Sequence, residues 1–80
     1  MEVVAHPNPL EDVVTLQITG LKEPYAKVEI SNALGQIVCQ NNHLVNGINP
    51  VDLTKMGSGL YFLKITYCDS KTKTSKLIKL

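Results

Sequence analysis

The sequence has no tryptophan, a single phenylalanine and no arginine; all eight of its basic residues are lysine. Without tryptophan the chain lacks the residue that packs on the inter-sheet bridge of an antibody domain. Without arginine, and with a formal net charge of only +1, it has neither the planar fork that reads phosphate and guanine nor the basic field that holds a nucleic acid. No apolar run approaches the roughly 20 residues that a membrane-spanning helix requires. The first residues carry no basic start followed by an apolar stretch, so no signal peptide is read here. Two cysteines, Cys39 and Cys68, permit one disulfide but no metal centre, which needs more ligands at close spacing. They are expected as free, partly buried thiols.

Signs of catalysis are equally sparse. His6 and His43 each stand beside an expected turn, without the nucleophile and orienting group that a hydrolytic site needs. Glu11 and Asp12 are neighbours on a loop. Gly57 and Gly59 precede a strand and not a helix, so no helix N-terminus is placed to hold an anion. Flat aromatic platforms for sugar binding have only Tyr25, Phe62 and an edge of Tyr67 as candidates. No catalytic residue, metal or cofactor is expected, and 80 residues allow one compact domain.

What is present is alternation. Apolar and polar residues exchange with period two along most of the chain, and no segment repeats at helical spacing for three turns, which predicts strands almost throughout. In residues 12–19, Val14, Leu16 and Ile18 share one face; Ala26, Val28 and Ile30 repeat the pattern. Asn32-Ala33-Leu34-Gly35 reads as a hairpin turn into residues 36–40, with Leu34 expected to fold back onto the core. Asn46-Gly47 reads as a turn of the kind that joins tightly paired strands, separating residues 41–45 from a short strand at 48–53. Pro50 suits an edge there.

The strongest strand runs over 60–68, partly apolar on both faces and therefore expected to be central. A polar turn at 69–71 and a last strand at 73–79 follow. With an initial strand before Pro7 this makes about seven strands, at the spacing of an immunoglobulin-like antiparallel β-sandwich. Tyr61, just after a glycine turn, fits a tyrosine corner, whose hydroxyl bonds a backbone group a few residues upstream; a plain core tyrosine fits the same residues.

Four segments resemble a known family when taken together: His6-Pro7-Asn8-Pro9; Asn32-Ala33-Leu34-Gly35-Gln36-Ile37-Val38; the stretch from Val51-Asp52-Leu53 through Gly59-Leu60-Tyr61 to Ile65; and Lys76-Leu77-Ile78-Lys79. The set resembles the C-terminal sorting domain of the type IX (Por) secretion system of Bacteroidetes, over essentially the whole chain. The resemblance implies that residues 1–80 are a single domain of a larger secreted protein, an address label attached to an N-terminal cargo. It implies recognition by the outer-membrane translocon in the periplasm, then removal by a sortase-like peptidase cutting near or before residue 1, leaving the cargo at the cell surface or outside.

By the same resemblance, Pro7, Asn8, Pro9, Gly35, Asp52, Leu53, Gly59 and Tyr61 keep the fold, and Lys76, Leu77, Ile78 and Lys79 form the element that the machinery reads. Gly57 departs from the residues often found at its position. The lysine-rich last strand also reads simply as a solubilised edge, although such an edge leaves backbone groups free for a partner to add a strand. The rival from another class is a carbohydrate-binding or fibronectin-like adhesive module, which has the same fold.

Overall fold

The computed structural model describes residues 1–68 and 70–80. Asp69, in the polar turn expected before the last strand, lies outside the described residues. Seven strands follow one another: β1 (Glu2–His6), β2 (Val13–Thr19), β3 (Ala26–Asn32), β4 (Ile37–Leu44), β5 (Gly47–Asp52), β6 (Gly59–Tyr67) and β7 (Lys71–Lys79). They form a three-stranded sheet, β1-β2-β5, and a four-stranded sheet, β4-β3-β6-β7, with every strand pair antiparallel. The fold is an all-β sandwich, as the alternation implied.

The period-two residues face inward and meet. Val14, Leu16, Ile18 and Val51 from the three-stranded sheet join Val28, Ile30, Leu63, Ile65 and Leu77 from the four-stranded sheet in one buried cluster. Each such side chain taken from water stabilises the fold by about 1.5–3 kcal/mol. β6 is central, flanked by β3 and β7. Pro50 lies on β5, an edge strand, opposite Thr15, where its missing N–H costs no ladder bond.

Four local expectations give way. β4 and β5 do not pair across Asn46-Gly47; β5 crosses to the other sheet and pairs with β2. The cause is the asparagine side chain: Asn46 Oδ1 accepts from the Leu21 N–H at 2.9 Å and its Nδ2 donates to the Leu21 carbonyl at 2.8 Å. The corner is thereby fastened to the loop after β2, not folded into a hairpin. β4 also runs unbroken through Ile37–Leu44, absorbing the segments read as separate by shifting register against β3.

Leu34 does not fold back onto the core; it is 85% exposed. Asn32 Oδ1 accepts from the N–H groups of both Leu34 and Gln36, each at 3.0 Å. That clasp closes the turn with its tip in solvent, and Gly35 takes the left-handed φ of 85° that closure requires. Finally, the cysteines are free, with Cys39 half-buried, but Cys68 is exposed and not partly buried. It lies just past the end of β6.

Candidate functional site

The motif residues are scattered from position 7 to position 79, yet the strand registers bring them to one end of the sandwich. Asn32 stands beside Tyr61, and Tyr61 beside Leu77. Gly59 is opposite Lys79, Asp52 is opposite Val13, and Leu10 bridges Lys79. The opposite end holds the start of β1, the start of β7 and the β2–β3 loop.

Within this end, β7 divides its four terminal residues by face. Leu77 is fully buried and Lys79 is 7% exposed, both turned inward. Lys76 and Ile78 point out, beside Phe62 and Leu60 respectively. A reader of the folded domain therefore meets Lys76 and Ile78, not Leu77 or Lys79.

The open edge expected at the last strand is closed over residues 76–80. Asn8 uses its side chain as a strand would use a peptide group: Nδ2 donates to the Lys76 carbonyl at 3.0 Å and Oδ1 accepts from the Ile78 N–H at 3.0 Å. Leu10 continues the seam, its N–H donating to the Ile78 carbonyl at 2.8 Å and its carbonyl accepting from the Leu80 N–H at 2.9 Å. The two prolines explain why a side chain is used, since Pro7 and Pro9 have no N–H to give. Strand addition at 76–80 would have to displace this segment.

The other motif residues support the same end. The Tyr61 hydroxyl donates to the Gly57 carbonyl at 2.7 Å, the geometry of a tyrosine corner, and pins the β5–β6 connection. Gly59 has φ 144°, a backbone state that side-chain-bearing residues rarely adopt. Leu53 is fully buried and its N–H donates to the Asp12 carbonyl at 2.8 Å.

Asp52 accepts from the Thr54 hydroxyl and, at 2.9 Å, from the Thr54 N–H. Those bonds, with Lys55 nearby, hold its carboxyl below the ordinary value of 3.8 against a smaller opposing effect of desolvation. A depressed pKa means the folded state favours the anion, so this contribution is complete above the unfolded value and is lost as pH falls through the folded one. The unfolding midpoint of the native chain should therefore decline with acid below about pH 4 more steeply than that of Asp52→Asn, as thermal melts across pH 2–6 would record; parallel declines would remove Asp52 from the account.

The sequence profile described as the secretion system C-terminal sorting domain matches residues 4–80. The chain belongs to that family. The sorting domain is also similar to the ulvan lyase NLR42 of Nonlabens ulvanivorans, with 30% identity over 76 residues; these span 95% of this chain and 14% of that protein's length. It is a C-terminal secretion signal of the type IX system, a label for export toward the cell surface or extracellular space. Among the described residues, no helix is long and apolar enough to cross a membrane.

Two contributors to this end and its supports were not singled out from sequence. Leu10 is fully buried, and its one signal was an isolated apolar residue in the polar stretch between Pro7 and Asp12. Asn49, 8% exposed, carried no signal beyond its closeness to a turn glycine. Leu60 and Phe62 were read as the second face of a central strand, yet they are 38% and 39% exposed. The three sugar-platform candidates fall on separate elements: Tyr25 precedes β3 and meets His43 edge-on at 4.8 Å, Phe62 lies on the outer face, and Tyr67 is half-buried.

Proposed function

We propose that residues 1–80 form a single sorting domain, joined to an N-terminal cargo that it carries through the type IX outer-membrane translocon. The translocon receives the folded domain in the periplasm and reads the end formed by Lys76, Leu77, Ile78 and Lys79. A sortase-like peptidase then cuts on the N-terminal side, near or before residue 1, and the cargo stays at the cell surface, anchored to lipopolysaccharide, or leaves the cell. A relative that is a ulvan lyase makes an enzyme a suitable cargo.

The observation that carries this reading is the match over residues 4–80, which includes every motif residue at the β7 end. The test fuses the chain behind a signal peptide and a reporter in a bacterium with the type IX system. The intact fusion should reach the cell surface or medium, and the same reporter without the domain should remain in the periplasm. Retention of the intact fusion would defeat the proposal.

A further inference from the structure

The outer face of the four-stranded sheet carries an apolar patch where a solvated face should alternate to polar residues. Leu60 and Ile78 are direct cross-strand neighbours, and Phe62 follows Leu60 on the same face of β6. The row through Phe62 continues across the polar Ser31 of β3 to Ile37 of β4, so exposed apolar residues stand on β4, β6 and β7. Ile78 is 48% exposed and Ile37 54%. Single exposed apolar residues are ordinary, but a contiguous group on a flat sheet marks a contact surface.

Its border is positive. Lys76 stands opposite Phe62, and Lys64 follows Phe62 on the same face of β6. The nearest carboxylate on this face, Glu29 beside Lys64, already faces Lys27 at 3.8 Å. A second copy laid face to face would bring lysine borders together, a repulsive arrangement. A lipid surface would find only two cations at the patch on a chain of net charge +1, too few for firm adsorption at about 1 kcal/mol per lysine.

We infer that this face, centred on Leu60, Phe62 and Ile78, is where the sorting domain docks on its export machinery, and that the partner offers an apolar surface bordered by carboxylates. The inference rests on the sorting function and adds its contact surface. Of the four terminal residues, it makes Lys76 and Ile78 the ones that are touched, whereas Leu77 and Lys79 hold β7 in place.

The experiment uses the full reporter fusion in the export-competent bacterium. The double variant Phe62→Thr/Ile78→Thr keeps strand-forming residues but removes the apolar centre, and it should reduce exported reporter by about tenfold or more, the loss typical of central anchors. Lys76→Glu should do the same, whereas Lys76→Arg should export normally. The control Val4→Thr/Ile48→Thr removes comparable apolar residues, 55% and 70% exposed, from the outer face of the other sheet and should export as the native chain does.

Thermal melts of the purified variants establish folding; if the double variant does not fold, Ile78→Thr alone and Lys76→Glu are read by the same criteria. Native export of folded patch variants, or equal loss in the control, would overturn the docking face while leaving the sorting function intact. Retention of the unaltered fusion would overturn both. Co-sedimentation with phosphatidylglycerol vesicles that Phe62→Thr/Ile78→Thr abolishes would replace the protein partner with lipid and also overturn the inference.

Discussion

Removing residues 76–80 will cost the domain its cooperative fold, not merely a recognition tag. Leu77 is fully buried, and loss of such a side chain alone costs about 2–5 kcal/mol. The cut also deletes the β7 partners of Gly59, Leu60, Tyr61 and Phe62. Asn8 and Leu10 lose the four hydrogen bonds that close the seam, each worth about 0.5–1.5 kcal/mol. The sum exceeds about 5 kcal/mol, the scale of a small domain's whole stability. Circular dichroism should show the truncated chain without a sigmoidal melt at any temperature above 20 °C. A transition within about 5 °C of the intact chain, the shift expected of only 1 kcal/mol, would refute this. Loss of export on trimming therefore cannot separate reading from folding, whereas outward substitutions at Lys76 and Ile78 can.

Asn49→Ala should be the most damaging single polar substitution in the sandwich. Its side chain is buried and fully engaged: Oδ1 accepts from the Val45 N–H at 3.0 Å, and Nδ2 donates to the carbonyls of Val45 at 2.8 Å and Leu16 at 3.1 Å. It ties the β4–β5 crossover to β2. Truncation strands these backbone groups, and the expected cost is about 2–4 kcal/mol, because stranded buried groups lose water without gaining a partner. In urea the midpoint should fall with the slope unchanged, since the same surface is still exposed on unfolding. Asn49→Asp should be no milder, because it keeps the acceptor for Val45 but sets an anion against two carbonyls. A loss under about 1 kcal/mol would mean that water replaces the amide.

The strands were legible because each inward residue announces itself by period two: Val14, Leu16 and Ile18 require no partner to be recognised as one face. Sheet membership was not legible at Asn46-Gly47, because the same dipeptide serves a hairpin or a crossover. What decides is a side-chain bond to Leu21, 25 positions away. Leu34 misled for a related reason, since hydropathy draws a leucine inward while the Asn32 clasp fixes the turn that holds it out. At the candidate site the motif residues could be named, but not their convergence. Nothing in the polar stretch around Asn8 shows that an amide side chain will complete a strand edge made by residues 76–80.

That seam also bears on timing. Asn8 bonds to Ile78 across 70 positions, and Leu10 waits for Lys79 and Leu80 in the same way. The segment that leaves β1 thus has no partner until the final strand has been synthesised, although β1 and β2 themselves pair locally. Pairings this distant must close a long loop before any contact rewards them. The seam of this domain therefore stays open until residue 80 has been added. It then closes in a late step, and the outward surface carrying Lys76 and Ile78 beside Phe62 and Leu60 is complete only after that step.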